Sequence, residues 1–319
     1  MEHRERGLGA KVLRLSWPAS VEFLIITSIV FADILLLSRL GSAVIAGVGV
    51  SVTVFRVFYE AFNSIAVAST TAVAQAVGAR NYRLAERCAG QSLTFAFVLG
   101  CLSGALGVAV ALPAVRLMGV DGVVLDAGVS YMQINMLASP FYALALAGGG
   151  VLKGVGNTRT PMLFTLVASG FKIVLSVGLI FGRWGFPALG VRGAALATLF
   201  GYLLNALLML AKLRLGFSGM RLTWASLRID RNLLKRLGLL AWPVAAERMI
   251  MRMGFVFYMR VVSALGTVAL AANQIALRLE SVSLTIGFGF TVAATTLVGQ
   301  AIGHRDVAEA RARAYMTMK

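Results

Sequence analysis

The segment from Leu15 to Ala85 recurs 225 residues later without a gap, and this repeat constrains the fold more than any single residue. Trp17-Pro18 returns as Trp242-Pro243, Glu22 as Glu247, Leu40-Gly41 as Leu265-Gly266, and Thr70-Thr71 as Thr295-Thr296. Gln75, Gly78 and Arg80 return as Gln300, Gly303 and Arg305. One offset held over about 70 residues marks a duplication, and duplication decides architecture before local patterns do. Lys319 aligns with Thr94, whereas the first copy runs on to about Leu215, so the second copy is expected to be incomplete.

Hydrophobic residues make up 59% of the chain and charged residues only 13%, against about a quarter charged in soluble domains. The expected fold is an all-α integral membrane protein of two parallel six-helix repeats. Apolar stretches able to span a bilayer lie at about 14–38, 44–77, 88–113, 127–152, 161–183, 190–212, 234–262 and 267–301, and a ninth begins near Val307. That gives about eight full spans and the start of another. The expected division is an N-lobe over 1–215 with helices 1–6, a cytoplasmic linker over 216–233, and a partial C-lobe over 234–319 with helices 7, 8 and the start of 9.

The formal charge of +17 is distributed over alternate loops. Arg4, Arg6, Lys11 and Arg14 precede the first span, Arg80, Arg83 and Arg87 follow the second, and seven basic residues from Lys212 to Arg236 follow the sixth. By the positive-inside rule the N-terminus is cytoplasmic, in the inner (plasma) membrane. The surplus reads as topology and contact with membrane lipids rather than nucleic-acid binding. No cleavable leader is expected, because the first apolar stretch is too long for one. Cys88 and Cys101, 13 residues apart on one expected helix, suggest neither a disulfide nor a metal site.

Six crossings separate Gly78-Ala79-Arg80 from Gly303-His304-Arg305, so the two copies face the same way and are related by an axis along the membrane normal. Parallel halves around a midplane cavity are a transporter plan.

The run from Asp33 to Gly41, the Gly-Asn-Thr-Arg-Thr-Pro-Met turn from Gly156 to Met162, the stretch from Leu189 to Thr198 and the paired ends at Gly78 and Gly303 together resemble the multidrug and toxic compound extrusion (MATE) family. The resemblance covers essentially the whole chain. It implies a secondary active antiporter that exports organic, cationic compounds by alternating access, driven by a proton or sodium gradient, without cofactor or bound metal and as a monomer.

Charges inside the membrane cost about 2.5 to 3.5 kcal/mol each on insertion scales, so each is a functional candidate. Asp33 in span 1 matches the acidic residue that the family uses for cation coupling in the N-lobe. Span 5 departs from the family: where proton-coupled members carry an Asn and, four residues on, an Asp, this chain has Lys172 and Ser176. Lys172 is therefore expected to pair with Asp33, the pair opening when substrate or proton arrives, although side chains lean towards the helix N-terminus and here away from Asp33.

Arg56 and Glu60, four apart, are expected to pair on one helix face. Glu22 and Glu247 hold equivalent places and are expected to share a packing or hinge role, with Glu247 also a cavity candidate. Glu280, close to Arg278 in span 8, is the C-lobe candidate for binding cationic substrate. Arg248 and Arg252, one turn apart, imply an acid or water nearby. Met249, Met251, Met253 and Met259 spread round their helix and mostly face lipid or neighbouring helices. Gly156, Asn157 and Pro161 form a turn and helix start. Pro18 and Pro243 are expected near helix starts, and Pro140 is expected to kink span 4.

Two other readings remain: a flippase for lipid-linked oligosaccharides, whose cavity needs inward arginines, and a truncated remnant that does not transport. An enzyme is not expected, since His3 and His304 are the only histidines and no nucleophile is paired with a base.

Overall fold

The computed structural model describes residues 2–216, 219–264 and 267–318, and leaves undescribed the side chains of 2–7, 256, 263, 264, 267–272, 274, 275, 278, 279 and 281–283. Ten α-helices run through the described residues: α1 (Glu2–Ser38), α2 (Ser42–Gly78), α3 (Tyr82–Arg116), α4 (Gly122–Leu137), α5 (Ser139–Gly154), α6 (Arg159–Phe181), α7 (Val191–Leu215), α8 (Arg231–Ala264), α9 (Thr267–Gly303) and α10 (Val307–Met318). One 3-10 turn, Trp224–Leu227, lies between α7 and α8.

Among the described residues, six helices are long and apolar enough to cross a membrane: α1 from Leu8, α2, α3, α6, α7 and the Leu284–Gly303 part of α9. The pair α4 and α5 makes a seventh, bent by 49° at its break. The expected fourth span is thus two helices, parted at Ala138 and restarted by Ser139-Pro140, where a missing N–H costs nothing. Ser139 Oγ donates to the Gly100 carbonyl at 2.8 Å and ties the break to α3. α8, expected as the seventh span, is not in the set, because Glu247, Arg248 and Arg252 fall together in its middle.

The prolines correct a second expectation. Pro18 and Pro243 lie well inside α1 and α8 rather than near their starts, because the charged segments before them are also helical. Each proline leaves one carbonyl of the preceding turn without its helical donor.

The repeat is visible in the backbone. Arg80 and Arg305, equivalent residues, both take left-handed conformations (φ 53° and 59°) that end α2 and α9. The following Asn81 and Asp306 both accept from the first turn of the next helix, through Leu84 N at 3.0 Å and Glu309 N at 2.8 Å. Packing repeats as well: α1 lies on α9 as α8 lies on α2, and α2 and α9 cross each other. At that crossing Gly78 meets the Gln300 backbone and Gly303 meets that of Gln75, so closely that a Cβ at either would collide.

α2 is the central helix, packed on α3, α4, α5, α8 and α9. Its face towards α5 works by small residues, as in membrane bundles generally. A Cβ on Gly154 would come 2.7 Å from the Thr70 carbonyl, and Thr70 Oγ1 donates to the Gly150 carbonyl at 3.0 Å. Phe62, Leu93, Leu152 and Met209 fill the apolar core around this seam.

Candidate functional site

Asp33 lies near the end of α1 and Lys172 in the middle of α6, two helices in contact. Lys172 Nζ donates to Asp33 Oδ2 at 2.6 Å, with the side chains only 10% and 20% exposed. The lean of the side chain towards the helix N-terminus does not prevent this contact, because the four-carbon stem is long enough to reach back. Gly201 of α7 makes room for the stem: a Cβ there would stand 3.0 Å from Lys172 Cβ. Ser176, one turn further along α6, is buried, and its hydroxyl has no hydrogen-bond partner among the described residues. The arrangement brings Asp33 and Lys172 together but does not join Ser176 to either.

Beside this pair lie tyrosines that sequence reasoning passed over. Tyr131 of α4 is within electrostatic reach of Asp33. Deeper in the bundle, Tyr142 of α5 lies between Tyr59 of α2 and Tyr202 of α7, at ring-centroid distances of 4.2 and 4.7 Å. The Tyr59 and Tyr202 hydroxyls are hydrogen-bonded to each other. Three tyrosines scattered over three spans show no periodicity that would single them out.

Glu60 does not pair with Arg56, which is exposed on α2. It takes Arg252 Nη2 of α8 at 2.5 Å, with Arg248 Nη1 at 3.8 Å. An Arg placed N-terminal to Glu is the weaker order for a one-turn pair, and α8 offers two guanidinium groups instead. The acid implied by Arg248 and Arg252 is therefore Glu60, and the contact joins the first repeat to the second.

Within these residues Glu22 and Glu247 have different surroundings. Glu22 is buried, with Lys153 Nζ of α5 3.0 Å from Oε1 and 2.9 Å from Oε2, whereas Glu247 is exposed. The residue that would correspond to Lys153 falls outside these 319 residues. Thr296 Oγ1 and Gln300 Nε2 of α9 donate to the Lys153 and Gly154 carbonyls at 3.0 and 3.2 Å, so α9 closes over the same end of α5.

Glu280 is exposed, and the Arg278 side chain lies outside the described residues. Met249, Met251 and Met253 are exposed on α8. At the turn before α6, Gly156 has φ 93°, Asn157 Oδ1 accepts from Thr160 N at 3.1 Å, and Pro161 follows in the first turn. Cys88 and Cys101 are free. Among the described residues no cluster could hold a metal ion.

The backbone resembles that of a multidrug resistance MATE family transporter of the MOP superfamily solved in an outward-facing conformation, with a TM-score of 0.90 over 98% of this chain and 68% of that one, at 24% identity. At this identity the likeness shows the fold. Among sequence relatives, the Thermotoga maritima protein called Probable multidrug resistance protein NorM is 27% identical over 91% of this chain. The chain spans 62% of that relative's length. The FAD transporter of Shewanella oneidensis is 26% identical over 98% of this chain and 69% of its own. The MatE family model matches residues 18–177 and 243–319, in both repeats and across the helices that carry Asp33, Glu60 and Lys172. The chain is a multi-pass membrane protein and belongs to the MatE family, the multidrug and toxic compound extrusion transporters.

Proposed function

We propose that the chain forms the first lobe, to residue 215, and the opening helices of the second lobe of an antiporter that exports organic compounds by alternating access, with its N-terminus in the cytoplasm. The part-buried Lys172–Asp33 ion pair carries this reading. A carboxylate facing an ammonium in a dry setting can be relieved of its partner in two ways: a proton neutralises it, or an organic cation takes the ammonium's place. These two events exclude each other at one carboxylate, which is the condition for exchanging one cation against another. The ammonium already engages Asp33 Oδ2, which supports the proton over sodium as the coupling ion.

A second reading concerns the sign of the substrate. Lys172 sits where the resemblance leads one to expect an uncharged Asn, and one relative is named for transport of FAD, an anion. An anionic compound would release Asp33 from Lys172 rather than Lys172 from Asp33.

The test is transport by the natural protein in proteoliposomes, with pH and sodium gradients imposed separately and one cationic and one anionic dye as cargo. Flux of the cationic dye under a pH gradient alone supports the first reading, and flux of the anionic dye alone supports the second. No gradient-dependent flux of either dye overturns both.

A further inference from the structure

The segment between α7 and α8 is held against the bundle. Residues 221 and 222 lie along the last turn of α7, where Leu222 N donates to the Leu213 carbonyl at 2.9 Å and Arg221 Nε to the Arg214 carbonyl at 3.1 Å. These bonds satisfy carbonyls that a helix end otherwise leaves open. Gln91 of α3, buried to 1% exposure, then holds the 3-10 turn with its whole amide group. Its Nε2 donates to the Ser226 and Arg228 carbonyls at 3.2 and 2.5 Å, and its Oε1 accepts from Asp230 N at 3.0 Å. Gly90 touches the Ser226 carbonyl so closely that no side chain would fit.

What this strap turns outward is both basic and apolar. Arg214, Arg221 and Arg228 are exposed, as are Leu215, Trp224 and Ile229. The two neighbouring acids are already engaged: Glu86 accepts from Arg221 N, and Asp230 caps α8 through Asn232 N and Leu233 N. Arg214 Cζ lies 4.3 Å from the centre of the Trp224 ring, which sets the indole beside the last turn of α7. The other tryptophans, Trp17, Trp184 and Trp242, are also exposed, as in the aromatic belts of membrane proteins.

We propose that this strap is a binding surface for anionic phospholipids of the cytoplasmic leaflet. Trp224, Leu215 and Ile229 enter the boundary of the acyl region, and Arg214, Arg221 and Arg228 hold the headgroup charge. The combination of exposed apolar anchors with exposed basic groups in one segment is what interfacial binding requires. Each basic group near an anionic surface adds about 1 kcal/mol, so three give a clear preference over zwitterionic lipid. The choice of leaflet rests on the orientation proposed above, and the choice of lipid does not.

The test uses the whole protein with Trp17, Trp184 and Trp242 replaced by Phe, in nanodiscs of mixed phosphatidylglycerol and phosphatidylcholine. Either one lipid or the other carries brominated chains, at equal mole fraction. Trp224 emission is expected to be quenched about twofold or more strongly by the brominated anionic lipid. Arg214→Gln/Arg221→Gln/Arg228→Gln should equalise the two, while the triple Lys variant keeps the preference. Equal quenching in the parent overturns the proposal, as does an unchanged preference in the triple Gln variant. Impermeant thiol labelling of His3→Cys in intact cells, with Cys88 and Cys101 replaced by Ser, reports orientation separately. Labelling there, with the lipid preference intact, overturns only the choice of leaflet.

Discussion

Gly303 rests on the backbone of Gln75 as Gly78 rests on that of Gln300, so the two repeats meet through their own equivalent residues. The crossing of α2 and α9 is thereby the place where the duplication becomes a contact between its two copies.

Replacing either glycine by Val should force these helices apart. Overpacking of a close contact costs about 1–3 kcal/mol. Gly78→Val and Gly303→Val are each expected to lower the thermal midpoint in detergent, and the double variant to lose less than the sum, because both act on one crossing. Unchanged midpoints in both single variants would show that the crossing is looser than described.

The Glu22–Lys153 pair predicts a larger and non-additive effect. Removing one partner of a buried pair leaves an uncompensated charge and costs about 3–5 kcal/mol. Glu22→Gln and Lys153→Met should each destabilise strongly, and the double variant should recover most of the loss. Denaturation of the four proteins in one detergent checks this.

Arg252 is 42% exposed, so its contact with Glu60 should contribute little despite the short distance. Exposed ion pairs contribute about 0.2–1 kcal/mol. A double-mutant cycle with Glu60→Gln and Arg252→Gln is expected to give a coupling in that range, and a larger coupling would show the pair to be drier than its exposure indicates.

The tyrosine hydroxyls share their hydrogen bonds among three rings. Tyr202→Phe removes one hydrogen-bond partner of the Tyr59 hydroxyl but leaves Tyr142 and should cost about 0.5–1.5 kcal/mol, while Tyr59→Phe/Tyr202→Phe, which also takes a partner from Tyr142, should cost more. Thermal stability of the three proteins measures the difference.

The repeat and most of the spans were legible in the sequence because each depends on a pattern along the chain, and the Asp33–Lys172 contact because the two charges stand at similar depths in their helices. The partner of Glu60 was not. Arg56 stands one turn away on the same helix, whereas Arg252 is 192 residues distant and only the docking of α8 brings it near. The partner of Glu22 was hidden for the same reason, because Lys153 stands 131 residues away on α5. The mid-helix positions of Pro18 and Pro243 were hidden because charged leaders resemble loops. The closure of the segment after α7 depends on Gln91, one polar residue in an apolar helix with nothing local to mark its role.

The central claim is that proton and substrate compete for Asp33 against Lys172. It is tested most directly by dye flux driven by a pH gradient in proteoliposomes of the parent, Asp33→Asn and Lys172→Met proteins, prepared at equal density and orientation. Both variants are expected to lose about tenfold or more of the gradient-driven rate when compared at equal amounts of folded protein. Flux with the parent's rate and pH dependence in both variants would contradict the claim.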